Sequence, residues 1–184
     1  MCWADQHLYF RAILIGQASP DRNVRHPGFH RMTLSMVMRR LLHVYWRFSR
    51  GLTVGVRALV LDGEGRVFLV KHSYVAGWHL PGGGVEEGET LVAALARELR
   101  EEGNIDLNGP PLLHAIYFNQ RMSRRDHVAL YVVRSFRQTA PPRPNSEIVA
   151  HGFFAMQDLP AETSRATRDR ISEVLTGRAV SEIW

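Results

Sequence analysis

Residues 80–105 constrain the fold and the chemistry of this 184-residue chain more strongly than any other segment. A proline and three glycines occupy residues 81–84, and an amphipathic helical pattern with leucines at every fourth position follows them. Thr90 is placed to cap that helix and Gly103 with Asn104 to end it, because helices commonly stop at a left-handed residue, a conformation that Gly and Asn tolerate best. The pattern predicts a glycine loop, a capped helix and a sharp turn.

Three glutamates lie on one side of the predicted helix. At about 100° per residue, Glu98, Glu101 and Glu102 fall within one sector of about 100° near its C-terminal end. A helix C-terminus favours cations by about 0.3 to 1 kcal/mol per charge, and carboxylates three or four residues apart repel each other. Arg97 and Arg100 point to other sides of the helix. A divalent cation would offset the charge more completely, and Mg²⁺ is commonly held by a few carboxylates together with substrate phosphates.

The three glutamates alone do not establish a metal site. Glutamate-rich helix ends are common on protein surfaces, where water solvates them. The glycines at positions 82–84 favour the metal site instead, because a backbone without β-carbons can approach a ligand closely.

The same segment resembles the Nudix box, the signature of a family of hydrolases that cleave pyrophosphate linkages. The family pattern is Gly-x5-Glu-x7-Arg-Glu-U-x-Glu-Glu-x-Gly-U, where U is a bulky aliphatic residue, and this chain follows it from Gly83 through Glu89 and Arg97 to Ile105. One position departs, since Asn104 stands where the family has its second glycine. The resemblance covers residues 52–175 and implies that Glu89 and Arg97 form a structural pair.

The resemblance also implies roles for the acidic residues. Glu98, Glu101 and Glu102 are the expected catalytic and metal-binding glutamates, and the backbone oxygen of Gly82 is a further expected ligand. The implied cation is Mg²⁺, with Mn²⁺ as a substitute, and it would bridge phosphate oxygens and the attacking water. Either Glu101 or Glu102 is expected to be the general base. Glu147, before the last predicted strand, is either an additional ligand or base, or an exposed loop acid.

The rest of the chain predicts the fold. Strand-like apolar runs occur at residues 52–61, 67–70, 112–118, 128–136 and 148–155, and a second helical pattern occurs at residues 161–175. Turn-forming residues 62–66 predict a hairpin between the first two strands, and the third and fourth strands are expected to pair. A proline-rich loop is predicted at residues 139–146. Together with the resemblance, this order implies a Nudix-type α/β/α sandwich with a mixed β-sheet.

The predicted domain occupies residues 51–176, between an N-terminal extension of residues 1–50 and a C-terminal tail of residues 177–184. Residues 1–31 are predicted to be a poorly ordered leader, and residues 34–48 an amphipathic basic helix that packs on the domain or lies at a membrane surface. Residues 1–60 carry a net charge of +7, whereas residues 61–184 carry −2. The basic balance therefore belongs to the N-terminal part, which favours a solvated extension over a nucleic-acid surface.

Cysteine usage and hydropathy bear on the compartment. The single cysteine, Cys2, excludes an intrachain disulfide, and no apolar run reaches the roughly 18 residues of a membrane span. The first residues also make a poor secretory signal. We therefore expect a cytoplasmic protein without a membrane span, and a homodimer is compatible with the sequence.

The expected substrate is a small nucleotide-type molecule, a nucleoside diphosphate linked to another moiety, as the resemblance implies. Residues that could stack on a base or hold phosphates, but that are equally explained as core aromatics or surface charges, are Tyr117, Phe118, Arg121, Arg124 and Arg125. Trp78 could also contact substrate, although packing is the favoured interpretation. Two other functions stay open: a non-catalytic nucleotide-binding regulator with the same fold, and an RNA-processing pyrophosphohydrolase whose basic N-terminal segment guides RNA.

Overall fold

The computed structural model describes residues 51–142 and 146–184, together with the helical residue Met38. The predicted leader and the rest of the predicted helix at 34–48 lie outside these residues. In chain order the elements are β1 (Thr53–Val60), β2 (Val67–His72), β3 (Trp78–His79), α1 (Leu91–Gly103), β4 (Asp106–Leu107), β5 (Leu112–Phe118), β6 (Asp126–Val133), β7 (Phe136–Arg137), β8 (Ile148–Phe154), a 3₁₀ turn (Met156–Asp158) and α2 (Arg165–Thr176).

Both parallel and antiparallel pairing occur among these strands. β6 lies between β1, to which it is parallel, and β5, to which it is antiparallel, so the predicted pairing of the third and fourth strands is confirmed. β2 lies between β3 and β8, antiparallel to both. The predicted strand at 128–136 is wrong at its end, because β6 stops at Val133 and Phe136 belongs to β7, which pairs with β4.

The predicted hairpin between β1 and β2 is wrong beyond its turn. Asp62 and Arg66 close the turn with a backbone hydrogen bond and an ion pair, and a single bridge joins Leu61 to Val67. The two strands then enter different sheets. The physical reason lies at the edge of β1 that faces away from β6. The backbone there hydrogen-bonds to the glycine loop at residues 81–85, so this edge is not available to β2.

Apolar side chains form two layers on opposite sides of the strands, because successive residues of a strand point to opposite faces. The first layer joins β1, β2, β6 and α1 through Val56, Ala58, Phe68, Leu95, Leu99 and Ala129. The second joins the other faces of these strands to α2 through Leu59, Leu69, Leu130 and Ile171. Complete burial of each large side chain stabilises the fold by about 1.5 to 3 kcal/mol. This arrangement confirms the α/β/α sandwich with a mixed sheet.

Both helices begin and end at recognisable caps. The Thr90 hydroxyl accepts a hydrogen bond from the Ala93 N–H at 3.1 Å, and Asn104 ends α1 in the left-handed conformation with φ 50°, as predicted. α2 begins at Arg165 rather than at residue 161, because the Ser164 hydroxyl caps it and the residues before Ser164 form a turn.

Asn104 provides a test of this helix end. Its side-chain N–H donates to the Ala140 carbonyl at 2.9 Å, and its backbone is left-handed. We expect Asn104→Ala to lower the free energy of unfolding by about 1 to 2 kcal/mol, since a β-carbon without the compensating side-chain bond disfavours this conformation. Asn104→Gly should cost less than about 1 kcal/mol. Urea denaturation of both variants measures the difference, and equal losses would mean that the side-chain bond alone matters.

Residues that follow α2 return to the strands. The Phe118 N–H donates to the Glu182 carbonyl at 2.8 Å, and the Trp184 N–H donates to the Phe118 carbonyl at 3.1 Å. Arg170 is 2% exposed and donates to the carboxylate of Glu173 at 2.7 Å. Its guanidinium also donates to the backbone next to Trp184, so a buried ion pair anchors this part of the chain.

Candidate functional site

The glycine loop is bound along the edge of β1. The N–H groups of Val56 and Ala58 donate to the carbonyls of Gly83 and Pro81, each at 2.9 Å. Gly82 has φ 135°, and a β-carbon there would collide with the Val56 carbonyl oxygen. Only glycine combines this backbone conformation with so close an approach to the strand, which explains the requirement at this position.

Glu102 is the most buried of the three helix glutamates, at 5% exposure. Its Oε2 accepts a hydrogen bond from the Gly82 N–H at 2.7 Å, and its Oε1 lies 3.4 Å from Nε2 of His72. Burial raises the pKa of Glu102 to about 7, although the Gly82 hydrogen bond lowers it. A buried carboxylate needs a proton or a cation to offset its lost hydration, so this position fits a bound divalent cation.

Arg97 holds the other two helix glutamates. Its Nη1 donates to Oε1 of Glu98 at 2.7 Å and to Oε2 of Glu101 at 3.5 Å. Nε and Nη2 donate to the two carboxylate oxygens of Glu89 at 3.0 Å each, and Nη2 also donates to the Gly84 carbonyl. The expectation that Arg97 points away from the acids is therefore wrong, because its long side chain reaches back across the helix surface to them.

Electrostatics agree with this pairing. Hydrogen bonds from Arg97 hold the pKa of the Glu89 carboxyl below its usual value, and hydrogen bonds to Glu89 and Glu98 raise the pKa of Arg97. The Glu101 side chain is 61% exposed, whereas that of Glu98 is 13% exposed. The three helix glutamates thus occupy three environments: Glu102 is buried, Glu98 is bound to Arg97, and Glu101 faces solvent.

A second group of side chains meets Glu102 from other elements. Ligand atoms of His72, Glu102 and Glu147 lie within 4.8 Å of one another. The Tyr74 hydroxyl donates to Oε1 of Glu147 at 2.7 Å, and burial together with this bond raises the pKa of Tyr74 to about 12. Burial also lowers the pKa of His72, and the charge of Arg57 lowers it further. These residues bring Glu147 next to the box.

Sequence reasoning missed two residues of this site. Arg57 lies in β1, and its Nη1 donates to the carbonyls of Leu80 and Gly82. A carbonyl oxygen has two lone pairs, so Gly82 keeps one acceptor position beside Arg57. The available signal was a charged residue in the middle of an apolar strand. His72 was missed as well, and the signal there was a polar residue that ends the apolar run of β2.

A cleft of about 660 Å³ opens beside the glycine loop. The cleft is lined by the start of β1, by Gly83 and Gly84, and by Asn119, Asp126 and Trp184. Thr53 and Asn119 each donate to the carboxylate of Asp126, at 2.7 and 2.8 Å. The loop between β5 and β6 also presents three exposed arginines, Arg121, Arg124 and Arg125.

Of the aromatic residues considered for substrate binding, Tyr117 lies in the core and Trp78 packs against it. Tyr117 is 0% exposed, and its hydroxyl donates to Glu173 at 2.7 Å. The ring of Trp78 contacts that of Phe154 edge to face, with ring centroids 5.0 Å apart. This contact agrees with the interpretation of Trp78 as a packing residue. The ring of Phe118 lies 5.5 Å from that of His127.

Known proteins resemble this chain in sequence and in structure. The family model described as NUDIX domain matches residues 51–175. A protein of Halorhodospira halophila named RNA pyrophosphohydrolase is 43% identical over 54 residues, which cover 29% of this chain and 30% of that protein. The chain thus matches less than a third of the length of this curated relative.

Solved structures extend the likeness over the whole domain. The MutT NUDIX hydrolase of Burkholderia pseudomallei has a TM-score of 0.58 at 28% identity, over 67% of this chain and 98% of that one. An ADP-ribose pyrophosphatase of Streptococcus suis has a TM-score of 0.54 at 23% identity, over 71% of this chain and 96% of that one, and this second likeness concerns the fold. Within the described residues, no helix has the length and apolarity to cross a membrane.

Proposed function

Because the chain belongs to the Nudix family, we propose that it hydrolyses a pyrophosphate linkage in a nucleoside diphosphate joined to another moiety. The observation that carries the proposal is the buried carboxylate of Glu102, held by the Gly82 N–H beside Glu98 and Glu147. Members of the family generally need a divalent metal. For this chain we propose Mg²⁺, with Mn²⁺ as a substitute, because the donors of the box are carboxylate oxygens.

Three glutamates and one backbone carbonyl are the proposed ligands: Glu98, Glu101, Glu102 and Gly82. When bound, the cation would neutralise phosphate oxygens and make a water more acidic. The Gly82 N–H orients the carboxylate of Glu102. Arg97 orients that of Glu98, so two carboxylates are fixed before substrate arrives. Either Glu101 or Glu102 would accept the proton of the attacking water, and the exposure of Glu101 supports that residue.

The size of the cleft and the arginines near it support a small phosphorylated substrate. Its volume of about 660 Å³ suits a small molecule such as a nucleotide derivative. Arginine side chains are well suited to phosphate, and exposed arginines occur in the loop that carries Asn119 and Met122, two residues of the cleft wall.

A substrate panel tests the proposal. Purified protein with Mg²⁺ is assayed on nucleotide sugars, dinucleoside polyphosphates, nucleoside triphosphates and capped RNA, with products separated by chromatography. We expect hydrolysis of at least one nucleoside diphosphate derivative. Binding without turnover of any member would favour the non-catalytic regulator, which the complete set of box glutamates argues against.

The curated relative supports a second candidate, RNA pyrophosphohydrolysis. In this alternative the basic residues 1–50 guide RNA to the same carboxylates. RNA binding would then weaken steeply with salt, and the salt dependence would disappear in a variant that lacks residues 1–50.

The domain boundary at residue 50, the cytoplasmic location and the homodimer remain predictions from the sequence.

Gly83 offers a test of the metal ligands. A β-carbon at this position would lie 2.7 Å from the carboxylate carbon of Glu98, so Gly83→Ala must displace that side chain. We expect Mg²⁺-dependent turnover to fall about tenfold or more, with little change in melting temperature, because the displaced group is the end of a flexible side chain. Gly84→Ala is the matched control, since nothing lies within 4 Å of a β-carbon there. Equal activity of the two variants would contradict the role of Glu98.

A further inference from the structure

His72 is a buried imidazole next to Glu102, and its hydrogen-bonding is incomplete. It ends β2, its side chain is 5% exposed, and its Nδ1 is buried without a hydrogen-bond partner. The other ring nitrogen, Nε2, points toward the carboxylate of Glu102.

The separation between His72 and Glu102 decides what kind of contact this is. Nε2 lies 3.4 Å from Oε1 of Glu102, beyond the roughly 2.7 to 3.2 Å of an N–H···O hydrogen bond. Metal–nitrogen and metal–oxygen bonds of about 2.0 to 2.2 Å place two ligand atoms of one cation about 3.0 Å apart at a right angle and about 3.4 Å apart at a tetrahedral angle. The observed distance falls in the range for two ligands of one cation, and it is long for a direct hydrogen bond.

Glu147 completes the arrangement from a different part of the chain. Its ligand atom lies within 4.8 Å of those of His72 and Glu102, and the Tyr74 hydroxyl fixes its carboxylate. The register of strands β2 and β8 brings His72 close to Glu147. The two strands pair antiparallel, and His72 lies opposite Ile148, the neighbour of Glu147. A nitrogen donor and two carboxylates thus converge from three segments.

We propose that His72 is an additional ligand of the divalent cation, and that its imidazole gives the site a higher affinity for borderline transition-metal cations such as Co²⁺ than carboxylates alone would. This inference rests on the proposed metal-dependent function. Imidazole suits cations such as Co²⁺ and Zn²⁺, whereas Mg²⁺ prefers oxygen ligands and gains little from it.

Metal binding to the untagged 184-residue protein tests the proposal without an activity assay. We expect His72→Gln to weaken Co²⁺ binding, measured by calorimetry, by at least tenfold, while Mg²⁺ affinity from competition changes by less than about twofold. Proton NMR of the Co²⁺ form should show a shifted exchangeable imidazole resonance in the wild type that His72→Gln lacks. His151→Gln is the matched control, because His151 lies on the adjacent strand opposite Val70 and its ring stacks on Phe68.

Unchanged Co²⁺ affinity and an unchanged resonance in a folded His72→Gln protein would overturn the proposal and leave His72 as a packing residue. If His72→Gln fails to fold, His72→Ala with added imidazole replaces it, and recovery of tight Co²⁺ binding is the expected result. Its absence in the folded variant would count against the proposal. The proposed function fails separately, since it requires metal-dependent hydrolysis whatever the affinity of His72 for Co²⁺.

Discussion

Turnover should stop when excess EDTA removes divalent cations, and it should return when Mg²⁺ is added beyond the chelator. The chain supplies carboxylates rather than positive groups at the end of α1, and Arg97 is already engaged by Glu89 and Glu98. Without a cation, the carboxylates of Glu98, Glu101 and Glu102 would repel the reacting phosphates. A metal contributes several kcal/mol of charge stabilisation, and each 1.36 kcal/mol is worth about tenfold, so we expect a loss of at least about 10³-fold.

Product formation on the best substrate of the panel measures this loss, with elemental analysis verifying that metal is absent. EDTA already saturated with Mg²⁺ is the control for inhibition by the chelator itself, and it should leave the rate unchanged. Full turnover in the verified absence of metal would refute the mechanism.

Local sequence signals were sufficient for the box and its helix. Thr90 caps α1 through its own hydroxyl, and Asn104 ends it in the left-handed conformation, both through contacts within a few residues. The pairing of β5 with β6 was also predictable, because a short polar stretch joins two apolar runs. These features depend on neighbours in the sequence, which a pattern can reveal.

Nonlocal competition explains the main error in the fold. The turn at residues 62–66 has the chemistry of a hairpin, and its hydrogen bonds do form. The edge of β1 that a hairpin would use is instead bound by Gly83, whose carbonyl accepts from the Val56 N–H at 2.9 Å. Strand β2 and the glycine loop compete for the same edge of β1. The loop prevails because its glycine backbone approaches β1 closely, and the sequence near the turn does not reveal this contact.

The site shows the same division between local and nonlocal information. Helical spacing placed Glu98, Glu101 and Glu102 near one another, but it did not predict that only Glu102 is buried. That difference arises from what packs on each residue. Glu147 comes from the segment before β8, more than 40 residues beyond the box, and it was already a candidate from the sequence. His72 approaches from β2, and only the strand register that places it opposite Ile148 could reveal it.

Glu102→Gln should separate catalysis from stability. Gln keeps the shape of the side chain and can still accept the Gly82 hydrogen bond, but an amide is a poor ligand for a hard cation and cannot take a proton from water. We expect Mg²⁺-dependent turnover to fall by about 10²-fold or more. Glu64→Gln, in the exposed turn after β1, is the matched control and should retain full activity.

Stability of the metal-free protein should change in the opposite direction. Burial raises the folded-state pKa of Glu102 to about 7 from 4.5, so the folded state binds this proton more tightly than the unfolded chain does. The wild type therefore loses stability as the pH rises from about 4.5 through 7, and the uncharged Gln variant escapes that loss. Melting temperatures of metal-free Glu102→Gln should equal or exceed those of the wild type at pH 8, with a smaller difference at pH 5. A variant that is active but destabilised at pH 8 would mean that Glu102 is a structural residue and not part of a catalytic site.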